Sequence, residues 1–521
     1  METVSPMKIV RARWAVILVL AIAALYTTYF SLAVSYFYSS FHEGADTGLS
    51  AYGLYYNTHF LNPNAYLQHL VFDQHVSFDS LLVQLAYLLV PSAMTVLELQ
   101  LIFQVFAALL VFLIARDLTK NDFIGLALFV AFILNLGNLG LILADTHVEF
   151  LITAFYLLTF YFYMKRSVVP FAVSLALLLG SADVSALMAL MLGIGLLAYE
   201  LLGKFQGRTS TVSWWFAISI VAGSAVAILG YGWITASLAS GYVSASSAYS
   251  SVPIVLRVTN GAQTNVGPSF GSFLKNPVGV LASNINTYLQ GYKTDLIYSL
   301  LLVVLGIGGV AMFFDPIVAL LLISPWLAGA FIMGNPAFLL PTQEYFGYVL
   351  GPAVCAAIIG IMLRSGRKGI WQPKAIGLTA IGFALVLSVI GPAVYLLTSS
   401  SVSNYHTATV GNLPKLLTLS SNSSQREAYL RLDYMIKQVP KNASLLTDFF
   451  IMPHVANREY LDTFSDKAFS FKAEYILVDL NRSANQQVCL QENCSIFYNM
   501  IAGANYTVLI QNGTATLYRK S

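Results

Sequence analysis

The chain is 521 residues long, 57% of them hydrophobic and only 10% charged, with a formal net charge of +3. So few charges cannot cover that much apolar area in water, and so small a charge excess, without a basic run, speaks against a nucleic-acid partner. A mean hydropathy of +0.71 places the sequence among polytopic membrane proteins.

Arg11 and Arg13 precede an apolar run from Trp14 to about Phe37, enough for one helix across ~30 Å of hydrocarbon. Positive charge ahead of this span predicts a cytoplasmic N-terminus, and no small-residue cleavage site marks it as a removable signal. The polar interval that follows, roughly residues 40–80, is therefore expected outside. It concentrates Glu43, Asp46, His59, His69, Asp73, His75 and Asp79. The apolar piece at 78–91 is too short to span and reads as a helix lying in the interface.

Further spans are predicted over about 93–114, 123–143 and 150–163, with Arg116, Lys120, Lys165 and Arg166 at their inner ends. Between the last two lies the turn ADTHVEF, which carries Asp145, His147 and Glu149. Residues 168–202 are interrupted by Gly180-Ser181-Ala182-Asp183 and read as two helices meeting near the outer face. A single span would hold Asp183 inside the membrane at a cost of roughly 2.5–3.5 kcal/mol. Next come a span at about 214–235 and a long outer loop, about 236–293, that carries Arg257, Lys275 and Lys293. Loops of that length in compact proteins are functional or disordered. Spans over about 296–314, 317–333, 345–362 and 376–397 bring the total to about eleven, and an odd number puts the C-terminus outside.

From Ser399 the composition becomes that of a soluble domain, giving a transmembrane domain over 1–398 and an extracytoplasmic one over 399–521. Six N-x-[ST] sequons fall in the latter, at Asn422, Asn442, Asn481, Asn493, Asn505 and Asn512, and predict N-glycosylation. QREAYLRLDYMIKQV sets Leu432, Met435, Ile436 and Val439 on one helical face. SLLTD, AEYILVDL and YTVLIQ read as strands, the last turning at Asn512-Gly513 into TATLYR. Helical stretches near 450–456 and 496–502 alternate with them, which makes this a small α/β domain. Cys489 and Cys494 (CLQENC) are spaced as a short disulfide loop would be, with two free thiols as the alternative.

Several residues could carry chemistry. Asp46 could act as a general base or hold an acceptor hydroxyl, or merely cap a helix. In FDQHVSFD, Asp73, His75 and Asp79 could collect a divalent metal; a solvated loop ending in a cap at Ser77 or Asp79 explains them equally. Asp145, His147 and Glu149 are costly at a membrane edge unless they face a wet cavity or one another. Asp183 either serves a site or caps its helix, with Ser181 as the rival cap. Glu344, at the outer start of a late span, and Arg257 and Lys293 could bind a phosphate-bearing ligand. Glu98 reads as structural.

Taken together, these motifs resemble those of an uncharacterised family of prokaryotic polytopic membrane proteins related to GT-C-type glycosyltransferases. The family pattern is an Asp-x-Gly after the first span, then a His before a short apolar helix and a Pro. It continues with a His-containing acidic turn, a Lys-Glu-Asp break between helices, and a Pro-x-x-Ala-Ser…Pro-His…Arg segment in an outer domain. Their counterparts are Asp46-Thr47-Gly48, His75 before LLVQLAYLLVP, His147-Val148-Glu149, Ser181-Ala182-Asp183, and VPKNASLLTDFFIMPHVANREY with His454 and Arg458. The resemblance implies a GT-C-like, mainly α transmembrane helical bundle, a polyisoprenyl-phosphate-linked sugar donor reached from the bilayer, and an active site at the outer face with Asp46 as base. His147, Glu149 and Asp183 would complete the catalytic group, with His75, Asp145, Arg257, Lys293 and Glu344 binding substrate. The resemblance implies no particular cofactor, though a divalent metal is compatible. Two departures stand out: Ser181 and Ala182 replace the family's Lys and Glu, and Tyr345-Phe346-Gly347-Tyr348 lacks a histidine. Either Arg257 or Lys293 supplies the missing cation, or the activity is altered. A non-catalytic scaffold within a membrane complex and a transporter are the rival expectations.

Overall fold

The computed structural model describes residues 6–41, 45–59, 71–72, 75–143, 146–147, 149–205, 214–244, 275–291, 293–306, 309–332, 334, 336–339, 344–364, 375, 378–379, 381–383, 386–387, 423–448, 450–458, 460–463, 473–479, 501–503 and 505–521. For some of these, His75, Asp46, Glu149 and Glu344 among them, only the backbone is described. Asp145, Arg257, Asn422, Asn481, Asn493, Cys489 and Cys494 lie outside the described residues.

The first span is α1 (Pro6–Ser39), and it leads to α2 (Ala45–His59), a two-strand hairpin of β1 (Val71–Phe72) and β2 (His75–Val76), and α3 (Ser80–Leu89). Helix α3 buries Ser80, Val83 and Tyr87 while Leu81, Leu82, Leu85, Leu88 and Leu89 stay exposed. One buried stripe and one bare apolar stripe on a helix too short to span suit the membrane interface expected of it.

The bundle continues as α4 (Ala93–Thr119), α5 (Asp122–Leu134), α6 (Leu136–Leu143), α7 (Glu149–Lys165), α8 (Val168–Ser181), α9 (Asp183–Phe205) and α10 (Trp214–Ser244). Helix α7 is apolar all round, and Phe150, Leu151, Ile152, Tyr156, Leu157 and Phe160 are all buried, as such a helix must be in the middle of a bundle. Helices α1 and α10 instead leave Ile17, Leu20, Leu25, Val226 and Leu229 bare, the pattern of surfaces turned to lipid. The tight α4–α5 connection has Lys120 in the left-handed conformation (φ 55°). Asn121 caps α5 by accepting from Phe123 N at 3.0 Å and Ile124 N at 3.3 Å. Beside it Arg116 pairs with Asp122 at 2.6 Å, and Asp117 with Lys120 and Lys165. These charges gather the ends of three helices at one end of the bundle, called here the basic end.

The predicted two-helix reading of 168–202 holds: Ala182, extended at φ −162° and ψ 166°, separates α8 from α9. Elsewhere the structure differs from expectation. The span over 123–143 bends by 51° between α5 and α6, because Asn135 spends its side chain on Gly137 N (2.9 Å) and Leu302 O (3.3 Å). The span expected at 296–314 splits into α12 (Lys293–Val304) and a 3₁₀ turn (Gly309–Phe314), where glycines at 306, 308 and 309 weaken a continuous helix. The loop expected over 236–293 contains α11 (Pro277–Gly291). Its start could have been read from Asn276-Pro277: Asn276 Oδ1 accepts from Gly279 N at 3.0 Å, with Pro at the first helical position. Helices α13 (Pro316–Phe331) and α14 (Gly347–Arg364) complete the described spans. Among the described residues, four helices are long and apolar enough to cross a membrane alone, five if the α5–α6 pair counts as one, beside shorter apolar helices. This is a multi-pass, mainly helical membrane protein.

After the spans, α15 (Ser423–Gln438) and α16 (Met452–Val455) pack with β3 (Leu445–Thr447), β4 (Leu461–Thr463), β5 (Tyr475–Asp479), β6 (Tyr506–Asn512) and β7 (Ala515–Lys520). The sheet order is β4-β3-β5-β7-β6, with β3 parallel to β4 and β5, and β7 antiparallel to β5 and β6. Leu432, Met435 and Val439 are buried as their periodicity predicts. Strand β4 has no signal beyond three residues, and β6–β7 turns at Gly513 (φ 63°). Asn442, Asn505 and Asn512 are exposed.

Arg458 ties this layer together. Its Nη1 donates to Pro440 O at 2.6 Å and its Nη2 to Val439 O at 3.2 Å, satisfying carbonyls at the end of α15. Burial lowers its pKa to about 10, so it stays charged at neutral pH. A lysine ammonium has donors enough but neither the reach nor the planar fork with which the guanidinium spans the two carbonyls. Arg458→Lys should therefore lose about 1–2 kcal/mol, read as a lower thermal midpoint; an unchanged midpoint would remove this anchoring role.

Candidate functional site

At the end of the bundle opposite the basic end, two segments far apart in sequence are pinned together. Thr146 N donates to Thr47 Oγ1 at 3.0 Å, joining the start of α2 to the turn before α7. The His147 carbonyl accepts from Phe150 N at 3.4 Å and opens α7, and the His147 side chain is half-buried. Asp46 is the second residue of α2, and through Thr47 the backbone of the Asp-x-Gly motif lies beside this turn. Position Glu149 begins α7 one turn further on.

The second junction joins the loop before α3 to the α8–α9 break. Phe78 N and Asp79 N both donate to Gly180 O, at 2.8 and 3.2 Å. Ser181 Oγ lies 3.0 Å from Asp79 Oδ2. A Cβ on Gly180 would sit 2.9 Å from Asp79 Oδ1, so only glycine lets the carboxylate come this close. The cap of α3 is Ser77, whose Oγ accepts from Ser80 N at 3.1 Å; Asp79 makes no capping bond. Relieved of capping, Asp79 turns to the break, 6% exposed, with burial raising its pKa to about 7 against the pull of the Ser181 hydrogen bond.

Asp183 begins α9 half-buried, its Oδ1 accepting from Val184 N at 2.9 Å. The helix is capped instead through Ser185 Oγ, which accepts from Ala182 N at 3.1 Å. Ser181 is no cap either, since its Oγ bonds Leu177 O at 2.9 Å. Tyr231 of α10 donates to Leu179 O at 2.6 Å and lies within electrostatic reach of both Asp79 and Asp183. The two junctions are linked through packing of α2 on α3 and β1, and of β2 on α10. His75 pairs with Phe72 in that small hairpin.

A third junction involves α16. Gly48 faces Met452 and Pro453 so closely that a Cβ would lie 2.7 Å from Met452 Cγ and 3.0 Å from Pro453 N. His454 stacks between Phe41 (3.9 Å) and Tyr38 (4.2 Å). Asn457 donates to Pro91 O at 2.6 Å and takes the Tyr87 hydroxyl. The Asp-x-Gly and Pro-His motifs thus meet face to face.

Not every candidate joins this group. Lys293 opens α12 and is exposed, and position Glu344 lies in a 3₁₀ turn before α14. Phe346, where the family pattern has a histidine, is buried edge-to-face with Trp326 at 6.1 Å. Glu98 accepts from Ser31 Oγ at 2.6 Å, a structural bond between α1 and α4. Among the described residues, no three His, Cys, Asp or Glu side chains group as metal ligands. The pair Thr47–Thr146 carries no signal in the sequence, and for Asp79, there a candidate metal ligand or cap, the signal for a different role is Ser77 as a sufficient cap.

These features describe a polytopic membrane protein with a polar site built at one end of its helix bundle. The sequence matches the family model described as "Predicted membrane protein (DUF2079)" over residues 49–515, and the chain belongs to that family. No curated protein matches the chain. Among solved structures it is similar to the crystal structure of ArnT from Cupriavidus metallidurans bound to undecaprenyl phosphate, at 10% identity and a TM-score of 0.49, covering 97% of this chain and 98% of that one.

Proposed function

We propose that the protein is a membrane glycosyltransferase that takes a sugar from a polyisoprenyl-phosphate donor at the extracytoplasmic face, with Asp46 as the base or the holder of the acceptor hydroxyl. The observation that carries this reading is the Thr47–Thr146 bond, which brings the acidic motif after the first span against the acidic turn before α7. In this reading the N-terminus is cytoplasmic, the basic end lies inside, and residues 399–521 form an outer domain whose sequons are glycosylated. Transfer needs a carboxylate near the attacking hydroxyl and partners for the departing phosphate. Asp145, His147, Glu149 and Asp183 would line the site with His75, while Arg257, Lys293 and Glu344 remain the candidates at the phosphate.

Asp46→Asn keeps shape and removes the base. In proteoliposomes supplied with polyisoprenyl-phosphate hexoses and a hydroxyl-bearing acceptor at the outer face, it should lower transfer of the sugar to that hydroxyl, and the matching release of the lipid phosphate, by on the order of 10²–10⁴, with unchanged insertion and thermal midpoint. Undiminished release would remove Asp46 from the chemistry. A scaffold role in a membrane complex is favoured by one observation: Ser181 and Phe346, which replace family residues, are engaged in packing and hydrogen bonding. Co-purification in fixed stoichiometry with other subunits, together with indifference to Asp46→Asn, would select that reading.

A further inference from the structure

Helix α2 carries a hydroxyl that its own backbone does not use. Ser50 is 2% exposed, and its Oγ makes no hydrogen bond. Elsewhere in the helices such hydroxyls donate to the carbonyl four residues back: Thr27 to Ala23 (2.8 Å), Thr159 to Phe155 (2.8 Å) and Ser224 to Ile220 (2.7 Å). For Ser50 that carbonyl belongs to Asp46, and the bond is not made.

The direction in which Ser50 faces is fixed by its neighbours. Thr47 is held on Thr146 and Gly48 on Met452, and these two contacts set the rotation of α2. At about 100° per residue, Ser50 lies about 60° from Thr47, about 40° from Asp46 and about 160° from Gly48. It therefore faces away from α16, between the helical positions of Asp46 and of Thr47, which is held on the turn before α7. A buried hydroxyl left unbonded there, one helical turn from the candidate base, is a group awaiting a partner.

We propose that Ser50 is a ligand-binding residue that, with Asp46 one turn before it, takes a sugar hydroxyl. A phosphate is the wrong partner, because the Asp46 carboxylate repels it. A sugar hydroxyl can give its proton to the carboxylate and accept one from Ser50. The proposal rests on the glycosyltransferase reading, and the sugar belongs either to the lipid donor or to the acceptor.

The test uses the full-length protein in detergent, wild type and Ser50→Ala, in thermal-shift measurements. The probes are bare polyisoprenyl phosphate, its glucosyl, mannosyl and galactosyl forms, and the matching methyl hexosides. Wild type should gain a larger shift from a sugar-bearing lipid than from the bare one, and Ser50→Ala should reduce the two to the same shift. A methyl-hexoside shift lost in the variant would also support the proposal and assign the sugar to the acceptor. Without any probe, the variant's midpoint should be no lower than wild type's, since a hydroxyl without a partner has been removed. A lower midpoint, or a sugar increment equal in both proteins, would overturn the role of Ser50. If no probe shifts wild type, the glycosyltransferase reading falls and Ser50 falls with it, an outcome distinct from the other two.

Discussion

Gly48→Val is expected to loosen α16 and the segments around it from the helix bundle. Two effects compete at this position. Replacing a helical glycine gains roughly 0.5–1 kcal/mol of backbone propensity. Against that, the new Cβ would fall 2.7 Å from Met452 Cγ, 2.9 Å from Met452 Cβ and 3.0 Å from the Pro453 backbone nitrogen. Overpacking of this kind costs about 1–3 kcal/mol for small additions, and valine adds two methyl groups that the Pro453 backbone cannot easily avoid. The clash wins. With α16 displaced, the His454 stack on Tyr38 and Phe41 is lost, together with the Asn457 bonds to Tyr87 and Pro91. Limited proteolysis should release the C-terminal segment faster from the variant than from wild type, with a lower thermal midpoint and reduced transfer. Met452→Ala added to Gly48→Ala should restore only part of the loss, because the Pro453 contact remains. A Gly48→Val protein with the wild-type midpoint and cleavage rate would show that this interface does not hold the segment.

How much of the fold and the site was legible in sequence depended on the distance over which each signal acts. The interfacial helix α3, the α8–α9 break and the amphipathic face of α15 are local patterns, and composition and periodicity over a few turns suffice for them. The hinge at Asn135 is not legible in sequence, because helical propensity alone does not reveal where an asparagine side chain will compete with the ladder; the split after α12 falls at glycines 306, 308 and 309, which an apolar span can also tolerate. The candidate site was legible as an inventory and not as an arrangement. Thr47 and Thr146 stand 99 residues apart, and Ser181 and Asp79 stand 102 apart; no periodicity joins them. The same holds for the Asp-x-Gly and Pro-His motifs, whose meeting requires a glycine at 48 for close approach. Sequence leaves Ser77 and Asp79 as alternative caps of α3; the serine takes that role and Asp79 meets the α8–α9 break instead.

Asp79→Asn is expected to remove a pH response rather than simply weaken the protein. The carboxyl is buried against Gly180 and Ser181, with Tyr231 and the second carboxylate of Asp183 nearby. Ser181 has one proton and two acceptors in reach, Leu177 O and Asp79. A protonated Asp79 resolves the conflict by donating to Ser181 while Ser181 donates to Leu177. In the folded protein its pKa is raised from 3.8 to about 7, so between these values the folded state holds a proton that the unfolded state has released. By linkage, this group's contribution to stability is full below pH 3.8, declines as pH rises through that window, and is lost above about 7. A shift of that size corresponds to ~4 kcal/mol at most, reduced by any local rearrangement that hydrates the charge. Asparagine keeps the shape and can donate to Ser181 at every pH, without ever ionising. At pH 3.8 or just below, the variant should match wild type within a degree or two of thermal midpoint, whereas at pH 8 it should be the more stable protein, because wild type then buries a carboxylate. A variant destabilised equally at both pH values would mean that Asp79 is ionised throughout and accepts from Ser181 as a charge; the α8–α9 break, and with it Asp183, would then be held by an anion instead of a neutral acid.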